Sequence, residues 1–585
     1  MPTDEPTLLY TWSPLVPRRK ELPLKHSCPQ QKALKEDELA RRLAAGEDLY
    51  PNCDVSVWLR SCSKEVLDPI EGTITGCVPQ WLRGSLLRNG PGSLKVGDMT
   101  FEHLFDSSAL LHRFCISNGN VTYQNRFLQS QTFKRNTAAQ RIVVTEFGTK
   151  AAPDPCQSIF QRVAAMFTPG ESISDNAMIS VYPFGDEFYT FTESPIIHRI
   201  DPRTLETMNR LNVAKYVSIV NHSSHPHVLK DGTVFNLGLT VTATGPSYAI
   251  VKFPTTRSSA DSLPEDKAST FEQATIVGKV PARWPLHPSY MHTFGITERF
   301  FVIVEQPLCV SVPGMIKTQL ANSPMVAAFR WYNDQQTLVH LMDRETGVLL
   351  RTFVTETFFY LHIINCYEED EHVVVDLCCY RDPSMLDCMY VEAMKGIQKN
   401  PDYARMFRGR PLRFVFPLTH SREQEKNLVT LKSSDARAFC LPNGQIFAQP
   451  ELLCSLGCET PRINYDRYMG RPYRYFYAIS SDVDLDNPGT LIKVDTFSRT
   501  KKTWSENNIF PSEPIFVPHP DGKEEDDGVI LSSLVWGQGE ENRAGLLILD
   551  AKTWTEIARA EFITPSPVPK CLHGWFASSK QQNKN

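Results

Sequence analysis

From Val57 onward the chain is a succession of short apolar runs separated by Gly, Pro and Asp-Gly turns. Runs of this length between such turn residues are typical of β-strands joined in hairpins. Stretches with helical spacing are few, so the pattern restricts the fold class to all-β. Closed all-β folds often exceed the usual domain length as one unit. We therefore predict a single domain over residues 56–578.

A weak repeat indicates which all-β architecture this is. An apolar strand ends in an aspartate, two turn residues follow, and Thr or Ser precedes a second strand. An aspartate that accepts hydrogen bonds from its own turn explains the pattern locally, and a hairpin that recurs along the chain is expected of propeller blades. The aspartates are Asp201, Asp343, Asp495 and Asp550. Unrelated Asp-capped turns in another all-β fold are the alternative, because the spacing is irregular.

Composition excludes some classes of function. Hydrophobic residues make up 41% of the chain and charged residues 22%, as in ordinary folded proteins with a large core. A net charge of -5 leaves no basic stripe for nucleic acid. The fifteen cysteines are odd in number and scattered, which is typical of reduced thiols in a cytosolic protein. Cys454 and Cys458 have no second pair at suitable spacing, so we expect no zinc site there.

The first 55 residues are predicted to be a polar leader, partly disordered, with one helix over residues 31–45. They contain no apolar run of the kind that a secretory signal needs. The whole sequence contains no apolar run of about eighteen residues, the length that a membrane-spanning helix requires.

Two segments rich in apolar side chains break the β pattern, and the first of them has these side chains at helical spacing. One follows Asp154-Pro155, a pair that suits the start of a helix; the other covers residues 308–331 and is interrupted by Pro313 and Pro324. Each would either pack on the β body or lie on a membrane surface. The side chains proposed for membrane contact are Cys156, Ile159, Phe160, Val163 and Phe167 in the first segment and Val312, Met315 and Ile316 in the second.

Histidines indicate the chemistry. Residues 221–227 read Asn-His-Ser-Ser-His-Pro-His, and His292, His362 and His573 each lie beside an apolar run that is predicted to be a strand. Neutral imidazoles from separate strands can converge and bind a first-row metal. Structural histidines that bond to backbone carbonyls are the alternative for each of them.

A set of motifs occurs in order between Val57 and Trp575, at residues 83–92, 103–106, 224–227, 367–369, 511–514 and 524–532. Through these motifs the chain resembles the carotenoid cleavage oxygenases. Two positions depart from the family pattern: Phe105-Asp106-Ser107-Ser108 stands where relatives have Phe-Asp-Gly, and His362 is single where vertebrate members tend to have two histidines.

This resemblance implies a seven-bladed β-propeller with an α-helical cap over one face and one Fe(II) on the axis. Ile179 is expected near the open coordination position. The implied iron ligands are His225, His292, His362 and His573. The implied hydrogen-bond partners of the last three ligands are Glu193, Glu459 and Glu513 respectively, because a carboxylate fixes the orientation of a ligating imidazole.

The resemblance also implies a reaction. O2, as co-substrate, would cleave the central 15,15′ double bond of a C40 carotenoid to retinal-type aldehydes. Within the family the insect isomerooxygenases are most similar, which implies coupled trans-to-11-cis isomerisation of one product for the supply of visual chromophore. A lipid-borne substrate favours the membrane interpretation of both apolar segments and makes Cys156 a candidate for acylation.

The expected location is cytoplasmic, peripherally bound to intracellular membranes, with no nucleic acid and no obligate protein partner. Three alternative functions stay open at this point. They are a carotenoid dioxygenase without isomerase activity, a retinyl ester isomerohydrolase that uses iron as a Lewis acid without O2, and a non-catalytic carotenoid-binding propeller. Tunnel shape rather than ligand identity separates the enzymes, so the sequence leaves open the preferred carotenoid, the bond that isomerises and the oligomeric state.

Overall fold

The structure is a computed structural model that describes residues 29–153, 173–255, 269–419, 426–486 and 488–579. Seven large sheets stand around one axis, so the predicted seven-bladed propeller is confirmed. Their strand pairs are antiparallel except for Leu349–Thr355 with Ile446–Gln449, which is parallel. We number the blades I to VII around the ring. Two short two-stranded ladders, Lys95–Val96 with Met99–Thr100 and Leu308–Val310 with Phe329–Trp331, lie outside the blades.

The first four blades are formed mainly by the N-terminal half of the domain. Blade I contains Gly574–Ser578, Gly84–Ser93, Ser108–Ser117, Asn120–Phe127 and Val66–Glu71 from the axis outward; blade II contains Ser180–Phe184, Glu187–Phe191, Ile196–Ile200 and Thr207–Asn212. Blade III contains Asn221–His222 and His227–Val228, both paired with Val234–Thr242, then Gly245–Phe253 and Thr275–Pro281. Blade IV contains Gly295–Ile296, Phe300–Glu305, Thr337–Asp343, Leu349–Thr355, Ile446–Gln449 and Arg437–Cys440.

The other three blades complete the ring. Blade V contains Phe359–Glu369, His372–Tyr380, Arg410–Pro417 and Glu451–Leu452; blade VI contains Glu459–Arg462, Tyr475–Ile479, Leu491–Asp495 and Lys501–Trp504. Blade VII contains Ile509–Pro511 and Ile515–Pro518, both paired with Gly528–Trp536, then Arg543–Asp550, Glu556–Ile563 and Thr73–Gly76.

Strands from both chain ends close the ring. Gly574–Ser578 pairs with Gly84–Ser93 in blade I, and Thr73–Gly76 adds to Glu556–Ile563 in blade VII. Closure of this kind leaves no open edge between the first and last blades. The inner strand of blade I also contacts Ser180–Phe184 of blade II, so the axis is lined by adjacent strands.

In the part of the chain that the structure describes, helices are few, as the sequence predicted, and apart from Pro29–Ala45 they are short. Several of them contribute side chains, such as Met385, Met394 and Tyr403, to a large cavity against the axis, and they form the predicted cap. The α-helices of the described residues are Pro29–Ala45, Ser56–Leu59, Gln131–Ala139, Val312–Ala321, Ser384–Asp387, Val391–Lys395, Tyr403–Met406 and Tyr465–Tyr468, and the 3-10 helices are Leu104–Asp106, Val213–Lys215, Met325–Ala328 and Ile397–Lys399. None of the helices in the described ranges has the length and apolar character that crossing a membrane requires.

The leader prediction overlaps the packed structure at its end. Leu49 and Tyr50 are buried against a cap cluster that includes Ile397 and Tyr403. The Tyr50 hydroxyl donates to the carbonyl of Asn400 (3.1 Å). The chain is thus already attached to the cap several residues before position 56.

The aspartate repeat is confirmed as a set of turns that cap themselves. Oδ1 of Asp343 accepts from the backbone N of Thr346 (2.8 Å), and Oδ1 of Asp550 accepts from the backbone N of Thr553 (2.7 Å). Asp201 and Asp495 make the same contacts in their turns. The four turns each join the two consecutive strands of a hairpin, in blades IV, VII, II and VI respectively.

We expect Asp550→Ala to lower the free energy of unfolding by about 1 kcal/mol, because backbone and hydroxyl donors of the turn lose their acceptor. Asp550→Asn keeps an oxygen acceptor and should lose less. Urea unfolding of the full chain measures both. Equal losses in the two variants would contradict the capping role.

The backbone conformation explains why a serine is tolerated at position 107, where relatives have glycine. Ser107 has φ −54° and ψ 139°, an ordinary conformation that does not require glycine. Asp106 keeps its contacts in this loop, since it accepts from the hydroxyl of Thr149 (2.5 Å) and from the backbone N of Gly148. Ser107, at the position where relatives have glycine, is therefore compatible with the hydrogen bonds that Asp106 accepts from Gly148 and Thr149.

Candidate metal centre and substrate cavity

Four inner strands carry the predicted ligand histidines to the axis. His225 lies between the two short inner strands of blade III, where Pro226 interrupts the pairing. His292 precedes the inner strand of blade IV and His573 precedes that of blade I. His362 lies inside the inner strand of blade V, at a register irregularity between Tyr360 and Ile363 that changes the direction of side chains.

The four imidazole rings lie next to one another on the axis. Ring atoms of His225, His362 and His573 that can bind a metal lie within 4.8 Å of one another. Nε2 of His292 lies 3.1 Å from Nε2 of His225. Neighbouring ring centroids are 4.6 Å apart for His225 and His573, and 5.0 Å apart for His292 and His362.

The other three blades supply the carboxylates. Glu193 follows a strand of blade II, Glu459 begins the inner strand of blade VI, and Glu513 lies between the two inner strands of blade VII. Each accepts a hydrogen bond from Nδ1 of one histidine, in the pairs that the resemblance implied. The distances are 2.6 Å for His292 with Glu193, 2.5 Å for His362 with Glu459 and 2.8 Å for His573 with Glu513. Every blade thus contributes one residue to the centre.

These contacts suit a cation. A neutral imidazole that donates from Nδ1 carries a lone pair on Nε2, so at least three lone pairs are directed into the same small space. Nε2 of His362 is buried and has no hydrogen-bond partner. His225 has no carboxylate partner among the described residues, and its Nδ1 lies 3.5 Å from the hydroxyl of Tyr182. Four neutral nitrogen donors fit Fe(II) or another first-row divalent metal.

Burial favours the neutral form of His225, His292 and His573. Burial lowers the pKa of His573 to about 4, and it lowers the pKa of His292 despite the opposing effect of Glu193. The pKa of His225 lies well below its usual value because of burial and the three neighbouring imidazoles. Only an unprotonated nitrogen can ligate a metal, so the environment prepares the rings for that role.

The three carboxylates have different surroundings. Oε2 of Glu513 accepts from Nη1 of Arg88 (2.8 Å), and its Oε1 accepts from Nε of Arg462 (2.8 Å). Burial alone would raise the pKa of Glu513, but Arg462, His573 and Arg88 hold it below the ordinary value. Glu459 and Glu193 instead accept from the hydroxyls of Tyr380 (2.7 Å) and Tyr290 (2.6 Å).

A cavity of about 1090 Å³ borders the centre on the cap side. Its lining is largely apolar and includes rings and chains such as Phe105, Met291 and Leu361. His292, His362 and His573 border it, and so does the half-buried Ile179. A second cavity of about 90 Å³ meets His225, His362 and His573 from another side. The histidine centre is therefore reached from a space large enough for a long apolar ligand.

The remaining histidines of residues 221–227 do not join the centre. Nδ1 of His227 lies 2.8 Å from the Tyr465 hydroxyl, and its Nε2 donates to the carbonyl of Phe294 (3.0 Å). His222 borders the large cavity, and its Nδ1 donates to the carbonyl of Ser223 (2.9 Å).

The predicted membrane residues are placed only in part. Cys156, Ile159, Phe160, Val163 and Phe167 lie outside the described residues. The helix Val312–Ala321 starts at Ser311, whose hydroxyl accepts from the backbone N of Gly314 (3.1 Å). Val312 and Met315 are half-buried, whereas Ile316 is 57% exposed. All three border the large cavity.

Comparison with known proteins identifies the family. Residues 59–578 match the family described as Retinal pigment epithelial membrane protein. The carotenoid isomerooxygenase of Galleria mellonella is 58% identical, over 92% of this chain and 99% of its own. The chain belongs to the Retinal pigment epithelial membrane protein family. Other relatives are the carotenoid isomerooxygenase of Drosophila melanogaster, 53% identical over 92% of this chain and 96% of its own, and the β,β-carotene 15,15′-dioxygenase of Mus musculus, 38% identical over 89% and 91%.

A solved structure of another protein has the same fold as this chain. A Synechocystis apocarotenoid oxygenase variant superposes with a TM-score of 0.69 and covers 90% of this chain and 98% of its own. Its sequence is 20% identical, so this likeness supports the propeller fold alone.

Sequence reasoning missed several residues of the centre. Arg88 is the only charged residue of the strand Gly84–Ser93, and a lone charge in a buried strand is a signal that could have indicated a buried ion pair. Arg462 and the hydroxyls of Tyr290 and Tyr380 carry no local signal. Their roles depend on which blades become neighbours.

Proposed function

We propose that this protein is an Fe(II)-dependent carotenoid isomerooxygenase. It cleaves the central 15,15′ double bond of a C40 carotenoid with O2 to retinal-type aldehydes and isomerises one product half to the 11-cis form, which would supply visual chromophore. The observation that carries the proposal is the set of four converging imidazoles, three of which border a largely apolar cavity. Family membership and identity above 50% to two insect isomerooxygenases support it.

The chain's residues hold the metal and the substrate. His225, His292, His362 and His573 would bind iron, which supplies a site for the activation of O2. The three glutamates fix the orientation of three of these rings and hold the proton of each neutral ring on Nδ1, so that Nε2 is free to bind the metal. The apolar lining binds a polyene and excludes water, and alkene cleavage by O2 to two carbonyls needs no proton from the protein. The isomerase part rests on the relatives, since no side chain is assigned to it.

The test uses the full chain loaded with Fe(II). β-Carotene or a retinyl ester is incubated with it under O2 and under argon, and the products are separated by chromatography. We expect aldehydes from β-carotene only under O2, with the 11-cis isomer among them. Oxygen-independent product from the ester would overturn the oxygenase proposal in favour of an isomerohydrolase. Tight binding of β-carotene without product would favour a carrier.

We also propose that the cavity mouth contacts the cytoplasmic face of intracellular membranes. Ile316 and Leu320, on the helix Val312–Ala321, are 57% and 77% exposed, and both border the cavity. Val220 and Val241, 50% and 58% exposed, border it as well. Exposed apolar side chains around an opening are expected where a lipid-borne substrate enters.

Replacing both Ile316 and Leu320 by glutamate should weaken vesicle binding at least about tenfold, since each such side chain contributes roughly 1.5–3 kcal/mol when buried. Sedimentation with phosphatidylcholine vesicles measures this. Phe497→Glu is the matched control, because Phe497 is 75% exposed and does not border the cavity. Equal binding by the double variant and the control would contradict the assignment of this surface.

A further inference from the structure

Lys570 is a buried lysine that borders the large cavity beside the histidine centre. It is 6% exposed and precedes His573 by three positions. Three residues of chain span at most roughly 11 Å, so its Cα lies within that distance of the Cα of His573. It is the only lysine among the described residues that line the cavity.

The amine of Lys570 has an unusual environment. Nζ lies over the ring of Trp58, 5.1 Å from its centroid. It is also close to Gly489, since a Cβ atom added to that glycine would lie 3.7 Å from Nζ. Within the described part of the chain no hydrogen bond or ion pair of Nζ is found. Lys493, also buried at 5% exposure, differs in this respect, since its Nζ donates to Asp526 (2.6 Å). A buried ammonium normally has a partner of this kind.

We propose that Lys570 binds the aldehyde product of cleavage covalently as an imine and so retains one product half in the cavity. The inference rests on the proposed function, because that reaction creates an aldehyde at the wall of the same cavity. Neutral Nζ attacks the carbonyl carbon, a C–N bond forms, and the oxygen leaves as water with the two amine hydrogens. Hydrolysis reverses the step, and no oxidant or reductant is needed.

The chemistry of the amine supports this role. Burial lowers the pKa of Lys570 to about 8; Cys571 and Cys53 act against this shift and Arg88 adds to it. Roughly a tenth of such amines are neutral at pH 7, against fewer than about one in a thousand for an ordinary lysine. Buried lysines of lowered pKa are the ones that form imines with carbonyl compounds.

A single lysine also treats the two products differently. Symmetric cleavage gives two aldehydes, but one amine can hold only one of them. The retained half stays in the cavity while the other is free to leave. This asymmetry matches a reaction in which only one product half is isomerised.

The test supplies the aldehyde directly. The full chain is incubated with retinal in the dark, borohydride reduces any imine to a stable secondary amine, and mass spectrometry of peptides locates the retinyl group. We expect modification of Lys570 to exceed that of the exposed Lys501 at least about tenfold. Lys493 should stay unmodified. Modification of Lys501 without Lys570, or equal modification of both, would overturn the proposal.

A variant tests whether the Lys570 amine itself is required, or only its positive charge. Lys570→Arg keeps a cation but cannot form an imine, and we expect it to lose the adduct while Lys501 is modified as before. A second arm starts from β-carotene and O2 instead of retinal. If no cleavage occurs, the proposed function fails while the retinal arm still tests Lys570. Cleavage with no adduct in either arm would overturn only the role of Lys570.

Discussion

His362→Ala is expected to abolish iron binding and carotenoid turnover. Loss of a partner of a metal ligand typically lowers metal affinity about 10–100-fold, and loss of the ligand itself should cost at least about 100-fold. His362 is also close to every other ligand, since its ring centroid is 5.0 Å from those of His225, His292 and His573. Metal analysis after dialysis against Fe(II) measures binding, and chromatography of the aldehydes measures turnover.

The matched control is His227→Ala. His227 comes from the same histidine-rich stretch as His225, but its ring contacts Tyr465 and the carbonyl of Phe294. This variant should lose stability and keep its iron. Thermal unfolding of both variants checks that they are folded. Iron content and turnover of His362→Ala equal to those of the unchanged protein would refute the metal assignment and with it the enzyme proposal.

Glu513→Gln is expected to have the second largest effect, on both stability and iron binding. The carboxylate accepts from His573, Arg88, Arg462 and the backbone N of Gly574. The Arg88 side chain is 0% exposed and that of Arg462 is 17% exposed. Removing one partner of a buried ion pair typically costs about 3–5 kcal/mol. We also expect an iron affinity about 10–100-fold lower, since His573 loses its acceptor.

Substitutions of two other glutamates serve as controls for Glu513→Gln. Glu193→Gln should lower iron affinity with a smaller loss of stability, because Glu193 accepts from His292 and Tyr290 and from no arginine in the described residues. Glu305→Gln should lower stability and leave iron binding unchanged, since Glu305 pairs with His340 (3.0 Å) and Tyr248 (2.9 Å) outside the centre. Urea unfolding and iron titration of all three variants measure both quantities. A Glu513 variant as stable as the Glu193 variant would contradict the role of the arginines.

Local parts of this structure could be read from the sequence because their causes are local. The aspartate turns depend on hydrogen bonds between residues two or three positions apart, such as Asp550 and Thr553. Strands alternating with Gly and Pro turns indicated the all-β class, and the observed helix Pro29–Ala45 includes the one predicted over residues 31–45. The choice of four histidines among fifteen came from resemblance to a family and not from spacing.

The tertiary structure determined which residues far apart in the sequence come into contact. Arg88 and Glu513 are 425 positions apart, and His362 and Glu459 are 97 apart. No local pattern relates such pairs, because their contact requires seven blades to close into a ring and bring seven inner segments to one axis. The sequence alone therefore determined the all-β class and the hairpin turns, and its resemblance to a family supplied the candidate ligands. Ring closure, driven by burial of apolar faces between blades, placed the arginines around Glu513 and left the amine of Lys570 without a hydrogen-bond partner among the described residues.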